Sequence, residues 1–157
     1  MSTQQFRPAI AIHGGAGTIL RSVMRPEQEK EYHHALKAAL ESGYNILQAG
    51  GSSLDAVVAA VESLEDCPLF NAGRGAVFTN EGKHELDAAV MLGNSRAAGA
   101  VASVSGVRNP VRLARAVMEH SEHVLLAGAG AEQFAKSRAI AFEPEDYFFT
   151  RQRYDQW

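Results

Sequence analysis

The succession of hydrophobic periods predicts an α+β fold. Three observations carry it. A short apolar run, Ala9 to Ile12, ends in a glycine cluster; two long helical periods follow; and alternating segments between Ala76 and Val104 are separated by turn-forming residues. A chain of 157 residues fits one domain, and a domain of that size buries roughly 70% of the surface its unfolded form exposes. No composition shift marks a second domain, and no internal repeat or low-complexity tract is present.

The elements follow in order. Ala9 to Ile12, with two isoleucines, predicts a buried strand ending in a tight loop at His13-Gly14-Gly15-Ala16-Gly17. From Pro26 the period becomes helical, with Tyr32, Ala35, Leu36, Ala39, Leu40, Gly43, Ile46 and Leu47 at three- and four-residue steps. Pro26 suits a first turn, Glu27, Glu29 and Glu31 favour its positive end, and Gly50-Gly51 stops the helix. Ser52 with Asp55 has the form of a capping box, and Leu54, Val57, Val58, Val61 and Leu64 mark the buried stripe of a second helix. Ala76 to Thr79, Glu85 to Leu92 and Ala98 to Val104 read as strands, and their short links predict antiparallel pairing. Asn109-Pro110 opens a third helix with Leu113, Ala114, Val117 and Met118 inward; Val124 to Ala127 is a strand and Ala131 to Arg138 a fourth helix. From Glu143 to Trp157 the chain is polar and aromatic without a clear period, as a docking tail or linker is.

Composition excludes several classes. A formal net charge of -3 with 21% charged residues lacks the basic excess that nucleic-acid binding needs. No run approaches the roughly 18 apolar residues of a membrane span. A lone cysteine, Cys67, makes no internal disulfide, and no apolar leader follows Met1, so the expectation is a soluble protein of the reducing cytoplasm.

The chemistry-bearing motifs are few. Gly15-Ala16-Gly17-Thr18-Ile19-Leu20 lacks the third glycine of a dinucleotide loop, and no G-x-S-x-G elbow accompanies His13-Gly14-Gly15, so neither a nucleotide fold nor an α/β-hydrolase is supported. His84-Glu85-Leu86-Asp87 alternates like a strand, which sends His84 and Leu86 one way and Glu85 and Asp87 the other; a structural role outweighs a metal site. His33, His34, His120 and His123 read as solvated, and Cys67 as a small buried residue. The most informative segment is Leu64-Glu65-Asp66-Cys67-Pro68-Leu69-Phe70-Asn71-Ala72-Gly73-Arg74-Gly75. It leaves an apolar helix and enters a turn that Pro68, Gly73 and Gly75 keep irregular, so that backbone carbonyls and the Asn71 amide are aimed at one point. An amide within a turn also bonds its own backbone, and that reading stays open for Asn71.

Taken together and in this order, the His13 to Gly17 loop and the Leu64 to Gly75 turn resemble the N-terminal chain of the plant-type asparaginase and isoaspartyl peptidase family. The resemblance runs from about Ala9 to the last residue, with Leu92 a departure where the family is often acidic. It implies an N-terminal-nucleophile hydrolase with a four-layer αββα sandwich, of which this chain is the α-subunit half. Such a precursor cuts itself ahead of a threonine that begins the β chain, so no catalytic residue is expected here. Thr3, Thr18, Thr79 and Thr150 are internal. The resemblance assigns Asn71 a supporting role beside the nucleophile and Gly14 and Gly15 a place lining the pocket. It assigns a structural sodium ion to the main-chain carbonyls of Leu64, Glu65, Cys67, Phe70, Ala72 and Arg74. No cofactor is implied for the chemistry. The implied partners are the β subunit, a second αβ heterodimer, and asparagine or a β-aspartyl dipeptide as substrate. Two rivals remain: a stand-alone small-molecule or anion-binding module built on Gly14 to Gly17, and another hydrolase of the same class, such as a glycosylasparaginase.

Overall fold

A computed structural model of the chain describes residues 7–15, 22 and 24–157. Thr3, Ala16, Gly17 and Thr18 lie outside the described residues. Helix α1, Pro26–Gln48, starts with proline in its first turn and ends where the Gly50 and Gly51 amides fold back onto the Leu47 and Ile46 carbonyls at 3.1 and 2.8 Å. Helix α2, Ser53–Glu65, opens as the capping box requires: the Ser52 hydroxyl accepts the Asp55 N–H at 3.1 Å and donates to the Asp55 carboxylate at 2.6 Å. The two helices pack against each other.

A mixed sheet forms the other half of the structure. Strand β1, Leu86–Met91, pairs antiparallel with β2, Ala98–Val104, which pairs in parallel with the short β3, Leu125–Ala127. Helix α3, Pro110–His120, connects the parallel pair, and α4, Gly128–Ser137, follows β3 directly. Leu86, Val90, Gly99, Val101 and Val104 face α3, whose Val111, Leu113, Ala114 and Val117 are also fully buried. Burying each such leucine or valine contributes about 1.5–3 kcal/mol. Gly99 sets how closely the layers approach, because a Cβ there would stand 2.2 Å from the Ala114 carbonyl.

Several expectations are corrected. Residues 9–12 and 76–79 belong to no helix and join no ladder among the described residues, and the third strand of the sheet, which is mixed, comes from residues 125–127. Nor are residues 9–12 buried on both faces as expected: Ile10 and Ile12 are half-buried while Ala9 and Ala11 are exposed. At residues 76–79, the Val77 N–H that a ladder would use goes to the Asn71 side chain. Helix α4 starts three residues before Ala131. The stretch after Glu143 is ordered into two short helices, α5 at Glu145–Phe148 and α6 at Arg151–Gln156. It lacked a visible period because four- and six-residue helices are too short to show one.

Opposite Asp87, β2 carries a bulge, where Ser103 adopts φ +50° and donates its N–H to the Asp87 carboxylate at 2.8 Å. His84 and Leu86 are buried on one side, and Glu85 and Asp87 point to solvent on the other, as the alternation requires.

Candidate functional site

The turn after α2 is shaped by crowding. Gly73, at φ +48°, leaves no room for a side chain: a Cβ would lie 2.4 Å from the Glu65 carbonyl oxygen. At Gly75 it would lie 2.1 Å from the Phe70 carbonyl oxygen and 2.6 Å from that of Pro68. The glycines are therefore what allows carbonyls from both arms of the turn to gather. Among the described residues, the Leu64 carbonyl accepts the Cys67 N–H at 3.2 Å and that of Ala72 accepts the Gly75 N–H at 3.0 Å, whereas those of Glu65, Cys67, Phe70 and Arg74 accept no backbone hydrogen bond. A cradle of neutral carbonyl oxygens fits a hard monovalent cation. No group of three or more acidic, histidine or cysteine side chains able to hold a metal occurs among the described residues.

The side chains on this turn differ in exposure. The Arg74 guanidinium is exposed and lies 5.5 Å from the centre of the Tyr147 ring. Cys67, expected to be buried, is half-exposed; it packs at the edge of the cluster formed by Ala39, Leu64 and Phe70 because the turn runs along the surface.

The structure brings the two sequence motifs together. His13, Gly14, Gly15, Phe70, Asn71 and Ala72 line one open cavity of about 850 Å³, which residues of α1 and of the last helix complete. Gly14 packs closely here: a Cβ would stand 2.9 Å from the Leu36 side-chain tip and 3.1 Å from the Phe70 ring. Asn71 accepts the Val77 N–H on its Oδ1 at 2.9 Å, so the reading that its amide bonds its own backbone is realised. That bond fixes the oxygen toward Val77 and leaves the NH2 group as the donor Asn71 can offer to the cavity. Just beyond the turn, Arg153 of α6 donates from Nε to the Gly75 carbonyl at 2.8 Å.

Two ionisable groups, one buried and one half-exposed, follow each other at the end of α2. Glu65 is only 2% exposed, and its Oε1 accepts the Val111 N–H at 3.0 Å. It thereby caps the N-terminus of α3, a task Asn109 gives up by donating its own amide to Asp66 at 3.2 Å. Glu65 Oε2 has no partner among the described residues, and burial pushes its carboxyl up to about 8 against the pull of Val111 and Asn109. Asp66 beside it is shifted the other way: burial raises it, but hydrogen bonds from Arg108, Tyr147 and Asn109 hold it below the usual carboxylate range. Asp66 thus ties the end of α2 to α3 and to α5.

His84 stands apart from this cavity. Its ring is buried 4.2 Å from that of Phe78 and 6.1 Å from that of Phe148, and neither nitrogen has a partner within bonding geometry among the described residues. Burial holds it below its ordinary value, with the Val77 and Ala76 carbonyls and Glu145 opposing. His33 and His34 on α1, and His120 and His123 around the end of α3, are exposed. The hydroxyls of Thr79 and Thr150 accept the Lys83 and Arg153 amides at 3.2 Å each, which makes them turn and helix caps.

Sequence reasoning named Glu65 only for its carbonyl. A signal for its side chain was present, since Glu65 falls four residues after Val61 and seven after Val58 on the apolar stripe of α2, where a carboxylate needs a buried donor. Nothing marked Arg153 or the Asp66 network, whose partners lie 42 to 81 residues away.

A mixed α/β chain with a glycine-shaped carbonyl turn and an asparagine on a shared cavity defines a narrow class. A profile of the asparaginase family matches residues 6–157, and the chain belongs to that family. It is 57% identical over 150 residues to an isoaspartyl peptidase of Salmonella typhimurium, covering 96% of this chain and 48% of that protein. It is 55% identical to an isoaspartyl peptidase of Escherichia coli, covering 96% and 47%, and 48% identical to a plant-type L-asparaginase of Thermococcus kodakarensis, covering 95% and 46%. The chain spans about half the length of the curated relatives it matches.

Proposed function

We propose that this chain is the α half of an autoprocessed isoaspartyl peptidase with L-asparaginase activity, completed by a β chain from the same precursor into an αββα sandwich. The observation that carries the proposal is the meeting of Gly14, Gly15 and Asn71 on one cavity. Relatives bearing these names extend to about twice the chain's span. Residues 9–12 and 76–79 support it further: the sequence reads them as strands, they join no ladder among the described residues, and a strand without a ladder needs a partner from elsewhere.

In the proposed reaction, a threonine that begins the β chain attacks the side-chain amide carbonyl of asparagine or of a β-aspartyl dipeptide. Its free amine acts as the base that takes the proton from its hydroxyl. The leaving amine departs as ammonia or an amino acid, and water hydrolyses the acyl-threonine to aspartate. This chain contributes the wall: Gly14 and Gly15 let backbone line the pocket, and Asn71 supports the nucleophile through its amide NH2. The carbonyls of Leu64, Glu65, Cys67, Phe70, Ala72 and Arg74 would hold sodium, which supplies rigidity to the turn rather than chemistry. The chain beyond residue 143 is proposed to lead to the cleavage site, and two αβ units to form a heterotetramer. No helix among the described residues is long and apolar enough to cross a membrane; the proposed setting is the cytoplasm, where Cys67 stays reduced.

A denaturing gel of the active native protein, with N-terminal sequencing of its bands, tests the reading. The expected result is a companion chain of similar size that begins with threonine. Amidase activity retained by this chain alone would overturn it.

A further inference from the structure

Arg153 makes a contact that the proposed chemistry does not use. Its Nε donates to the Gly75 carbonyl at 2.8 Å, and its Nη1 donates to Gln156 at 2.9 Å. Its own N–H is capped by the Thr150 hydroxyl, so the guanidinium is braced from within α6. No side chain fits at Gly75, where a Cβ would stand 2.1 Å from the Phe70 carbonyl oxygen, so the bare peptide there takes the Arg153 contact. Two residues on, the Val77 N–H holds the Asn71 oxygen at 2.9 Å and so decides which way the Asn71 NH2 points. Arg153 and Asn71 line the same cavity.

The tail that carries Arg153 is fastened independently of this contact. Phe78 gathers Phe149, Tyr154 and Trp157 at ring distances of 6.1, 6.2 and 5.8 Å. The Trp157 ring also covers Gly82, where a Cβ would meet it at 3.1 Å. Packing of this kind orders α6 against residues 78–82 and presents the guanidinium to Gly75.

We infer that Arg153 is a positioning residue for Asn71, acting through the Gly75 carbonyl and the Val77 amide; this rests on the reading of the cavity as half of an amidase site. The guanidinium fixes the peptide at Gly75, the peptide fixes Val77, and Val77 orients the amide that supports the nucleophile. Losing the donor lets the 75–77 segment shift without unfolding it, and misplacing a group near reacting atoms is costly to rate.

The test uses the assembled enzyme, with Arg153→Met, which keeps the aliphatic stem and removes the donor, and Arg153→Lys, which keeps a donor. Each is made with Asn71 intact and with Asn71→Ala. Activity is measured on a β-aspartyl dipeptide, and the Asn71 side-chain amide is followed by NMR. Arg153→Met is expected to lower kcat about tenfold with KM nearly unchanged, and to have almost no further effect when Asn71 is already alanine. Arg153→Lys is expected to recover most of the loss. The Asn71 amide resonance should move in Arg153→Met and stay in Arg153→Lys. An equal fall in both backgrounds, or an unchanged kcat with an unmoved Asn71 resonance, would overturn the inference. If Arg153→Met fails to assemble, Arg153→Leu takes its place under the same criteria: a lowered kcat with a moved Asn71 resonance supports the inference, and an unchanged kcat with an unmoved resonance refutes it. If the unmodified enzyme hydrolyses no β-aspartyl amide, the proposed function fails, while the resonances still decide the role of Arg153.

Discussion

The α3 and sheet region closes on itself, and the region around the two motif loops does not. In the first, Val101, Val104, Val111, Leu113 and Val117 are buried to 2% exposure or less, and the α3 N-terminus finds its acceptor in Glu65. In the second, residues 9–12 and 76–79 join no ladder among the described residues, and Asn71 and Val77 face outward. The contrast teaches where the fold is self-sufficient and where, on the proposed function, a surface is left for a partner chain. The contacts that hold the closed region lie within this chain, whereas the open one is proposed to receive its reacting group from the β chain.

The sharpest test of the contrast compares truncations on its two sides. Leu113→Ala, in the closed region, should destabilise the chain by about 2–5 kcal/mol in urea unfolding. Val77→Ala, at 43% exposure, should change the isolated chain by less than about 0.5 kcal/mol. Equal costs would erase the distinction. Next in size, Glu65→Leu leaves the Val111 N–H buried without an acceptor and should cost about 1–3 kcal/mol. Glu65→Gln keeps the acceptor and should cost less, as thermal melts of both variants will tell.

The smallest expected effect is a pH dependence at the seam between the regions. Burial depresses His84 below its ordinary value of 6.5, so the folded chain takes up the proton less readily than the unfolded one. The stability it contributes is therefore present above that value and falls away as pH drops through the depressed folded value. Replacing it, as in His84→Leu, should flatten the acid side of a stability profile measured by urea unfolding between neutral pH and pH 5. An unchanged slope would remove His84 from the account.

Much of the closed region was legible because its signals are local. The Ser52 and Asp55 cap, the Gly50-Gly51 stop and the α3 stripe each depend on neighbours within a few residues, and each appears where read. Residues 9–12 and 76–79 misled for a physical reason: alternation marks a strand's faces, while a ladder needs a partner that periodicity does not reveal. The parallel placement of β3 was likewise invisible in three residues, Leu125–Ala127. At the site, Gly73, Gly75 and Asn71 were readable from turn chemistry. The Glu65 cap on Val111 and the Arg153 contact with Gly75 were not, because their partners lie 46 and 78 residues away.

The central claim is that the open region is half of a structure shared with another polypeptide. Amide hydrogen exchange tests it most directly, followed at residues 9–12 in this chain alone and in the assembled enzyme. The account predicts rapid exchange there in the isolated chain and protection on assembly, with the amides of β1 and β2 protected in both. Exchange at 9–12 that is equally fast in the two states would contradict it.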